Sequence, residues 1–500
     1  MDLKKSMKKI LISQKPWETR TAITRDNRLQ NIYFASHIKV YLERCFYKGI
    51  VTKVLPGIQT AFVEFGQYKA GFLHISEIDH NLALSRMSNS IEIEDDKRIT
   101  SHMDISKILK EGEPILVQVS KEPVYEKGAK LTRCFTLPGR FIVLMPNIPR
   151  VGISKKIEAP EERQRLKDIL RSLLPEGMGA IIRTSCEHRT EKELAKDVDY
   201  LVGLWKTITD SYNAAPGVKL IHTDLPLSLQ TVRDNLDDQV TEIITDNPNA
   251  HTEVLDFLKQ IAPEYKHLVK IHKDPPTLFE AHNIEKQLES ALEKKTTLRS
   301  GGSIIIESTE AMTVVDVNTG KFVGKRDLED TILQTNLEAA EEIVRQLRLR
   351  NIGGLIVIDF IDMGISANRQ KLFKNFEQML KEHDKFQSVV LRISEFGLVQ
   401  MTRKRSGKTL VQQLTSTCED CCGRGFVNSI ETESHNALRK FTESLTEVKR
   451  KTVRLILNPE VFDFINNSEH DAILELEKKF QCQITLESNP ELERHKFKIH

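Results

Sequence analysis

The stretch Gly353-Gly-Leu-Ile-Val-Ile-Asp-Phe-Ile-Asp-Met363 opens on a glycine pair and runs through a nearly unbroken apolar series to two aspartates. An apolar run without alternation is the pattern of a strand buried on both faces, as in parallel sheets. Before it, Asp327–Arg350 carries apolar residues at helical spacing. Asp327, Glu329 and Asp330 lie in the first turn and Arg345, Arg348 and Arg350 in the last, which complements the helix dipole. Gly353-Gly354 ends that helix. Further upstream, Ser303–Glu307 and Met312–Val317 predict a hairpin. Strand, helix and strand then form a right-handed crossover that sets two strands parallel and near one another. Ala367–Lys385 predicts a second helix and Ser388–Met401 a further strand or pair.

The crossover brings Asp316 and Asp359 to matching ends of neighbouring strands. Asp316 and Asn318 share one face by the two-residue period, whereas Asp362 faces elsewhere if the strand continues. Two carboxylates aimed at one spot repel unless a cation lies between them. Few oxygen ligands favour Mg²⁺ or Mn²⁺, which keep several waters and accept a phosphate oxygen. Such an ion polarises a phosphodiester and activates a water. The plainer alternative is an aspartate that caps a helix or pairs with an arginine.

The rest of the chain is organised around this region. Five hundred residues exceed one ordinary core and predict three or more units. Hydrophobic residues make up 39% and charged residues 29%, a globular composition. No apolar run approaches the roughly 18 residues that cross a bilayer. The basic start at Met1–Ile10 precedes an apolar patch, Ile10–Ile12, too short for a secretory signal. Net charge is +2, from 73 basic and 71 acidic residues, which leaves nucleic-acid binding open because charges can segregate onto faces. Seven scattered cysteines argue for a reducing compartment.

Lys9–Ser13, Glu18–Thr24 and Leu29–Phe34 predict a hairpin and a third strand. Five short strands follow between Arg44 and Phe135, interrupted by a polar stretch at 79–113, and suggest a small barrel. Barrels of this size bind single-stranded nucleic acid by stacking bases on aromatic rings beside cations. Phe62 and Phe72 are the candidate platforms among Phe62, Phe65, Tyr68, Phe72 and His74. Lys48, Lys53, Lys69 and Lys121 are the candidate cations. The competing reading places the aromatics in the barrel core. Helices are predicted over Glu161–Leu174 and Glu191–Ser211, with a strand between them that ends at Arg183-Thr184 and could hold an anion. Arg403-Lys-Arg405 and Lys408 could meet a polyanion backbone.

Cys418-Glu-Asp-Cys421-Cys422-Gly-Arg-Gly425 looks like a zinc knuckle, in which turn amides orient two thiolates. It supplies two ligands, or three with Cys422. A closed tetrahedral site therefore needs distant residues or a second chain, and a zinc shared between two protomers is the economical answer. A thioredoxin-like dithiol lacks the βαβ context it needs here. The tail reads as helix (Glu433–Lys449), strand (Thr452–Leu457), helix (Val461–Lys479) and strand (Gln483–Ser488).

Taken in order, these residues resemble one family. They are Tyr47-Lys-Gly49, Ala61-Phe-Val-Glu-Phe-Gly66, Gly71-Phe-Leu73, Leu144-Met-Pro-Asn147, Arg183-Thr184, Asp316-Val-Asn318, Asn336-Leu-Glu-Ala-Ala340, Arg345-Gln-Leu-Arg-Leu-Arg350, the 353–363 stretch and the cysteine motif. They closely resemble the bacterial ribonuclease E/G family over nearly the whole chain, most of all its shorter, ribonuclease-G-type branch without a long C-terminal scaffold arm.

The resemblance implies an α+β multidomain fold. A ribonuclease-H-like domain (1–37 plus 229–290) would hold an inserted S1 (OB-fold) β-barrel (38–125). A 5′-sensor region (126–228), a DNase-I-like α/β catalytic domain (291–410), a zinc link (411–428) and a small α+β oligomerisation domain (429–500) would follow. It implies a cytoplasmic, single-strand-specific endoribonuclease of ribosomal RNA maturation and messenger turnover. Mg²⁺-dependent hydrolysis would leave 5′-phosphate and 3′-hydroxyl ends and favour 5′-monophosphorylated RNA. Asp316 and Asp359 match the ligands of one Mg²⁺ per site, and Asn318 their supporting neighbour. Phe62, Phe72 and Lys121 match RNA contacts, Arg183 and Thr184 the 5′-phosphate pocket, and Cys418 and Cys421 the ligands of a Zn²⁺ shared between two chains. The implied assembly is a homodimer or homotetramer through the zinc link and small domain, without scaffold-type degradosome partners. Cys422, Glu395 and the 79–104 loop depart from the family pattern. The alternatives are a non-catalytic S1-type RNA-binding factor and a DNA phosphodiesterase.

Overall fold

The computed structural model describes residues 7–39, 41–79, 91–93, 104–123, 128–320, 328–394, 397–447 and 451–500. The chain divides into two compact units, residues 1–413 and 414–500.

In the larger unit, β1 (Lys8–Gln14), β2 (Glu18–Arg25) and β3 (Arg28–Ser36) form an antiparallel meander. The free edge of β1 pairs in parallel with Val240–Thr245, which pairs in turn with Val269–Ile271. Both faces are covered, as a parallel edge requires. Ile10 and Ile12 pack with Val232, Val254 and Leu258, while Leu11 points the other way onto Leu278, Phe279 and Leu288.

The expected barrel forms from β4 (Phe46–Leu55), β5 (Thr60–Glu64), β6 (Gly71–His74), β7 (Pro114–Lys121) and β8 (Lys130–Thr132). The ladder runs β4-β5-β6-β8-β7, and β7 pairs back onto β4, which closes the ring. Tyr47, Val51, Ala61, Val63, Phe65, Leu73, Val117, Val119 and Leu131 fill it. Most of the 79–104 loop lies outside the described residues, apart from Asp79, Asp104 and a short strand, Ile91–Ile93.

A mixed five-stranded sheet follows and contains β9 (Gly179–Ile182). The helix Pro160–Leu173 and α1 (Glu191–Ala214) contribute Leu166, Leu170, Leu194, Val198 and Leu201 to its core. Thr190 and Glu193 start α1 with a reciprocal capping box. A later helix, α2 (Leu227–Asn235), ends beside this sheet region through Arg233, whose Nη1 donates to the Pro138 carbonyl at 3.2 Å.

The segment 295–403 builds a six-stranded sheet from β10 (Lys295–Thr297), β11 (Ser303–Ser308), β12 (Met312–Asn318), β13 (Gly354–Asp359), β14 (Ser388–Val390) and β15 (Leu398–Arg403), in the order β10-β11-β12-β13-β15-β14. The crossover from β12 to β13 runs through α3 (Leu328–Leu349), and α4 (Ser366–His383) follows. Val315, Val317, Ile356 and Ile358 turn toward Ile343, Leu347, Leu372 and Phe376. The other face stays open, with Val314 37% and Leu355 41% exposed, so β13 is buried on one face rather than both. Asp327 lies outside the described residues. The arginines at the end of α3 do more than complement its dipole: Arg345 Nη1 donates to the Leu29 carbonyl at 2.8 Å and Arg348 Nη2 to Asn31 Oδ1 at 2.6 Å, tying α3 to β3.

In the smaller unit, Thr452–Leu457 lies between Gln483–Ser488, parallel, and Lys498–Ile499, antiparallel. The single helix expected over Val461–Lys479 is two, Pro459–Ser468 and His470–Phe480, parted at Glu469. Asn466-Asn-Ser468, poor helix formers that compete with the backbone, stand just before the break. Among the described residues no helix is long and apolar enough to cross a membrane.

Candidate active site and nucleic-acid interface

Asp316 on β12 stands directly opposite Asp359 on β13 in the parallel register. Side chains in register on neighbouring strands share a face, so both carboxylates lie on the open side of the sheet. Asn318, two residues on, donates from Nδ2 to Asp316 Oδ2 at 2.6 Å and fixes that carboxylate. Desolvation raises the Asp359 carboxyl above its ordinary value, and the charges of Asp316 and Asp362 add to the rise. Asp362 thus belongs to the same field, although the strand period sends it elsewhere. Gly397 has a left-handed backbone at φ 76°, which glycine adopts without strain, and a Cβ there would stand 2.9 Å from Asp362 Oδ1. Glu395 lies outside the described residues. The donor set of carboxylate oxygens and one amide, on a face open to solvent, fits a hard divalent cation that keeps several waters.

On the barrel, register aligns one row of side chains. Lys53 faces Phe62, Phe62 faces Phe72, Phe72 faces Lys130, and Lys130 faces Lys121. Two half-buried rings therefore sit side by side, with exposed cations at both ends of the row. Lys130 is held in an ion pair with Glu77. Phe65 belongs to the core, edge-on to Tyr47. Lys48 is a structural cation rather than a ligand group: its Nζ donates to the Tyr212 and Ala215 carbonyls at 3.2 and 2.7 Å. Sequence spacing could not show this, because the carbonyls that hold Lys48 come from Tyr212 and Ala215, far along the chain.

Arg183 and Thr184 follow β9, and Thr184 is exposed. The Arg183 Nη1 donates to the Gly139 carbonyl at 2.6 Å and to Asp234 Oδ1 at 2.8 Å. Asp234 was invisible to sequence reasoning, since it comes from α2, far along the chain. In the basic run that starts at the end of β15, Arg403 is buried in an ion pair with Asp384 and is not available to a polyanion.

In the smaller unit, the backbone N–H groups of Gly425 and Gly423 and the Cys418 side chain lower the Cys421 thiol below its usual range. That is the environment of a thiolate ligand. The Cys422 backbone is left-handed at φ 49°, and its Sγ turns to the Glu419 carbonyl at 3.3 Å. Among the described residues, no three His, Cys, Asp or Glu side chains gather where they could hold a metal ion.

A family model described as Ribonuclease E/G family matches residues 136–406, and one described as RNase E/G, Thioredoxin-like domain matches residues 417–500. Ribonuclease G of Escherichia coli (strain K12) is 35% identical over 490 residues, covering 98% of this chain and 99% of the relative. Ribonuclease G of Haemophilus influenzae is 35% identical over 466 residues, 93% of either chain. Ribonuclease E of Haemophilus influenzae is 35% identical over 497 residues, 99% of this chain and 52% of the relative.

Proposed function

The chain belongs to the ribonuclease E/G family, and on that premise we propose how its sites share out the work of a single-strand-specific endoribonuclease. Relatives named Ribonuclease G and Ribonuclease E make it an endoribonuclease of RNA processing. The observation that carries the catalytic assignment is the register of Asp316 against Asp359, with Asn318 bonded to the first.

Asp316 and Asp359 would hold one Mg²⁺, which when bound supplies Lewis acidity to the phosphodiester and an acidified water. Asn318 keeps Asp316 aimed at the same point. No histidine lies on β11, β12, β13 or β15, so water rather than a 2′-hydroxyl is the assigned nucleophile. The products are then a 5′-phosphate and a 3′-hydroxyl. Phe62 and Phe72 stack two successive bases while Lys53 and Lys121 meet the backbone phosphates. Arg183 and Thr184 receive a 5′-monophosphate. Cys418 and Cys421 form half of a zinc site completed by a second chain, in a homodimer or homotetramer. The boundaries implied by the family resemblance, S1 barrel at 38–125 and DNase-I-like domain at 291–410 among them, are kept as part of this reading, although the last barrel strand, β8, runs from Lys130 to Thr132, past the first of them. All seven cysteines are free, in keeping with action in the cytoplasm.

The test uses a fluorescent single-stranded RNA in Mg²⁺ buffer, with a DNA oligonucleotide of the same sequence beside it. Asp316→Asn and Asp359→Asn should abolish RNA cleavage while RNA binding by anisotropy stays near normal. Retained cleavage would remove the metal assignment. Absence of cleavage by the unaltered chain would favour a non-catalytic RNA-binding factor, and cutting of DNA alone a DNA phosphodiesterase.

A further inference from the structure

We propose that Asp234 is the positioning residue of the 5′-phosphate pocket, a half-buried anion that aims the Arg183 guanidinium. The inference rests on the reading of Arg183 and Thr184 as that pocket.

Among the described residues, Arg183 is fixed at one nitrogen. Both of its hydrogen bonds, to the Gly139 carbonyl and to Asp234, start from Nη1. The Nε and Nη2 edge takes no partner among the described residues, the side chain is 28% exposed, and Arg183 caps the short turn that begins at the exposed Thr184. A guanidinium held at one end presents two parallel N–H groups at the other, which is the fork that matches two phosphate oxygens.

Each anchor is itself anchored. The Gly139 carbonyl belongs to a loop whose next three amides, Arg140, Phe141 and Ile142, donate to the buried Asp197 carboxylate at 3.1, 2.8 and 3.1 Å. A Cβ on Gly139 would meet Asp197 Oδ2 at 2.6 Å, so only glycine lets the loop close on that acid. Asp234 takes two further bonds from Arg233, Nε to Oδ1 at 3.1 Å and Nη2 to Oδ2 at 3.2 Å. Lys385, just after α4, donates to the Asp234 carbonyl at 3.1 Å and to Asn235 Oδ1 at 2.9 Å, which pins the end of α2. Arg183 and Arg233 hold the Asp234 carboxyl well below the usual carboxylate range, against its burial.

A carboxylate beside a phosphate pocket can act in two opposite ways. It can compete with the incoming phosphate for the arginine, or it can orient the arginine. Competition would need Asp234 to occupy the edge the phosphate uses, and it does not. Two guanidiniums, Arg183 and Arg233, bond the Asp234 carboxylate, and the Lys385 ammonium holds the carbonyl of the same residue. Orientation is therefore the role the geometry supports.

The test compares one RNA carrying either a 5′-monophosphate or a 5′-hydroxyl, with the full-length protein. Asp234→Asn should lower the ratio of the two kcat/KM values about tenfold, near the net worth of one charge-assisted hydrogen bond. The loss should fall on KM for the monophosphorylated RNA. Asp234→Glu should recover part of it, and the Arg183→Ala/Asp234→Asn double variant should be no worse than Arg183→Ala alone. A ratio that stays or rises in Asp234→Asn, or an equal loss on both RNAs, overturns the positioning role while Arg183→Ala still erases the preference. If Arg183→Ala itself leaves the ratio intact, the pocket lies elsewhere and the proposal falls with it.

Discussion

Arg403 and Asp384 meet in a buried two-pronged ion pair, Nε to Oδ2 at 2.6 Å and Nη2 to Oδ1 at 3.0 Å, with each side chain 1% exposed. The pair joins the end of α4 to the end of β15, and the guanidinium lies over the Phe386 ring at 4.7 Å. Asp384→Ala leaves a buried arginine without its anion and should cost about 3–5 kcal/mol. Urea denaturation measures it. A loss under about 1 kcal/mol would show that the arginine finds solvent instead. An Asp384→Leu/Arg403→Met double variant should be far less damaging than the single change.

The aromatic row on the barrel separates stacking from charge. Phe62→Ala and Phe72→Ala should each weaken single-stranded RNA binding by about 1–3 kcal/mol and leave its salt dependence alone. Lys53→Ala and Lys121→Ala should instead flatten the slope of log affinity against log salt by about 0.7 each. Affinity measured by anisotropy at four salt concentrations distinguishes the two. Equal slopes in all four variants would place the RNA path off this row.

At the cysteine knuckle, native mass spectrometry should find one zinc per two chains. Cys418→Ser should lose the metal and the assembly together. One zinc per chain, with the assembly intact in the variant, would mean that Cys422 or another residue closes the site within one chain.

Lys385 reaches the surface, but its ammonium is packed against the Asp234 carbonyl and Asn235, and desolvation there pushes it down to about 8, with Asp234 opposing and Lys8, Arg183 and Arg348 reinforcing the fall. Between that value and the ordinary lysine pKa of 10.5, the unfolded chain holds more of this proton than the folded one. Stability therefore gains from this group as pH rises above about 8. The difference in Tm between the unaltered chain and Lys385→Met should change with pH across that window, in favour of the unaltered chain at the alkaline end. A difference that runs the other way would contradict the shift.

Much of the architecture could be read from pattern alone. Thr452–Leu457 and Gln483–Ser488 fall on the predicted residues because alternation and flanking turn residues define a strand locally. The Asp316–Asp359 juxtaposition was legible because a crossover leaves few registers open to two strand-end residues. What stayed hidden depends on contacts between distant segments. Nothing near Arg183 in sequence announces Asp234, and nothing near Arg403 says that it is buried rather than offered to a polyanion. Cys422 differs again. The sequence left open whether it joins the pair as a third ligand, and its backbone is left-handed with Sγ at the Glu419 carbonyl.

The parallel pairing of β1 with Val240–Thr245 also sets an order of events during synthesis. The five strands that close the barrel lie between Phe46 and Thr132, so that ring has all its parts early. The first sheet does not, because Lys8 waits for Val240 and Ile10 for Ile243. At about 5–20 residues per second the ribosome leaves the N-terminal hairpin alone for about 10–50 s after it emerges. For that interval β1 presents an open edge of unpaired amides and carbonyls, the kind of edge that recruits stray strands. The nascent chain thus carries an open strand edge at this hairpin for that interval, and a holding chaperone would be of use there.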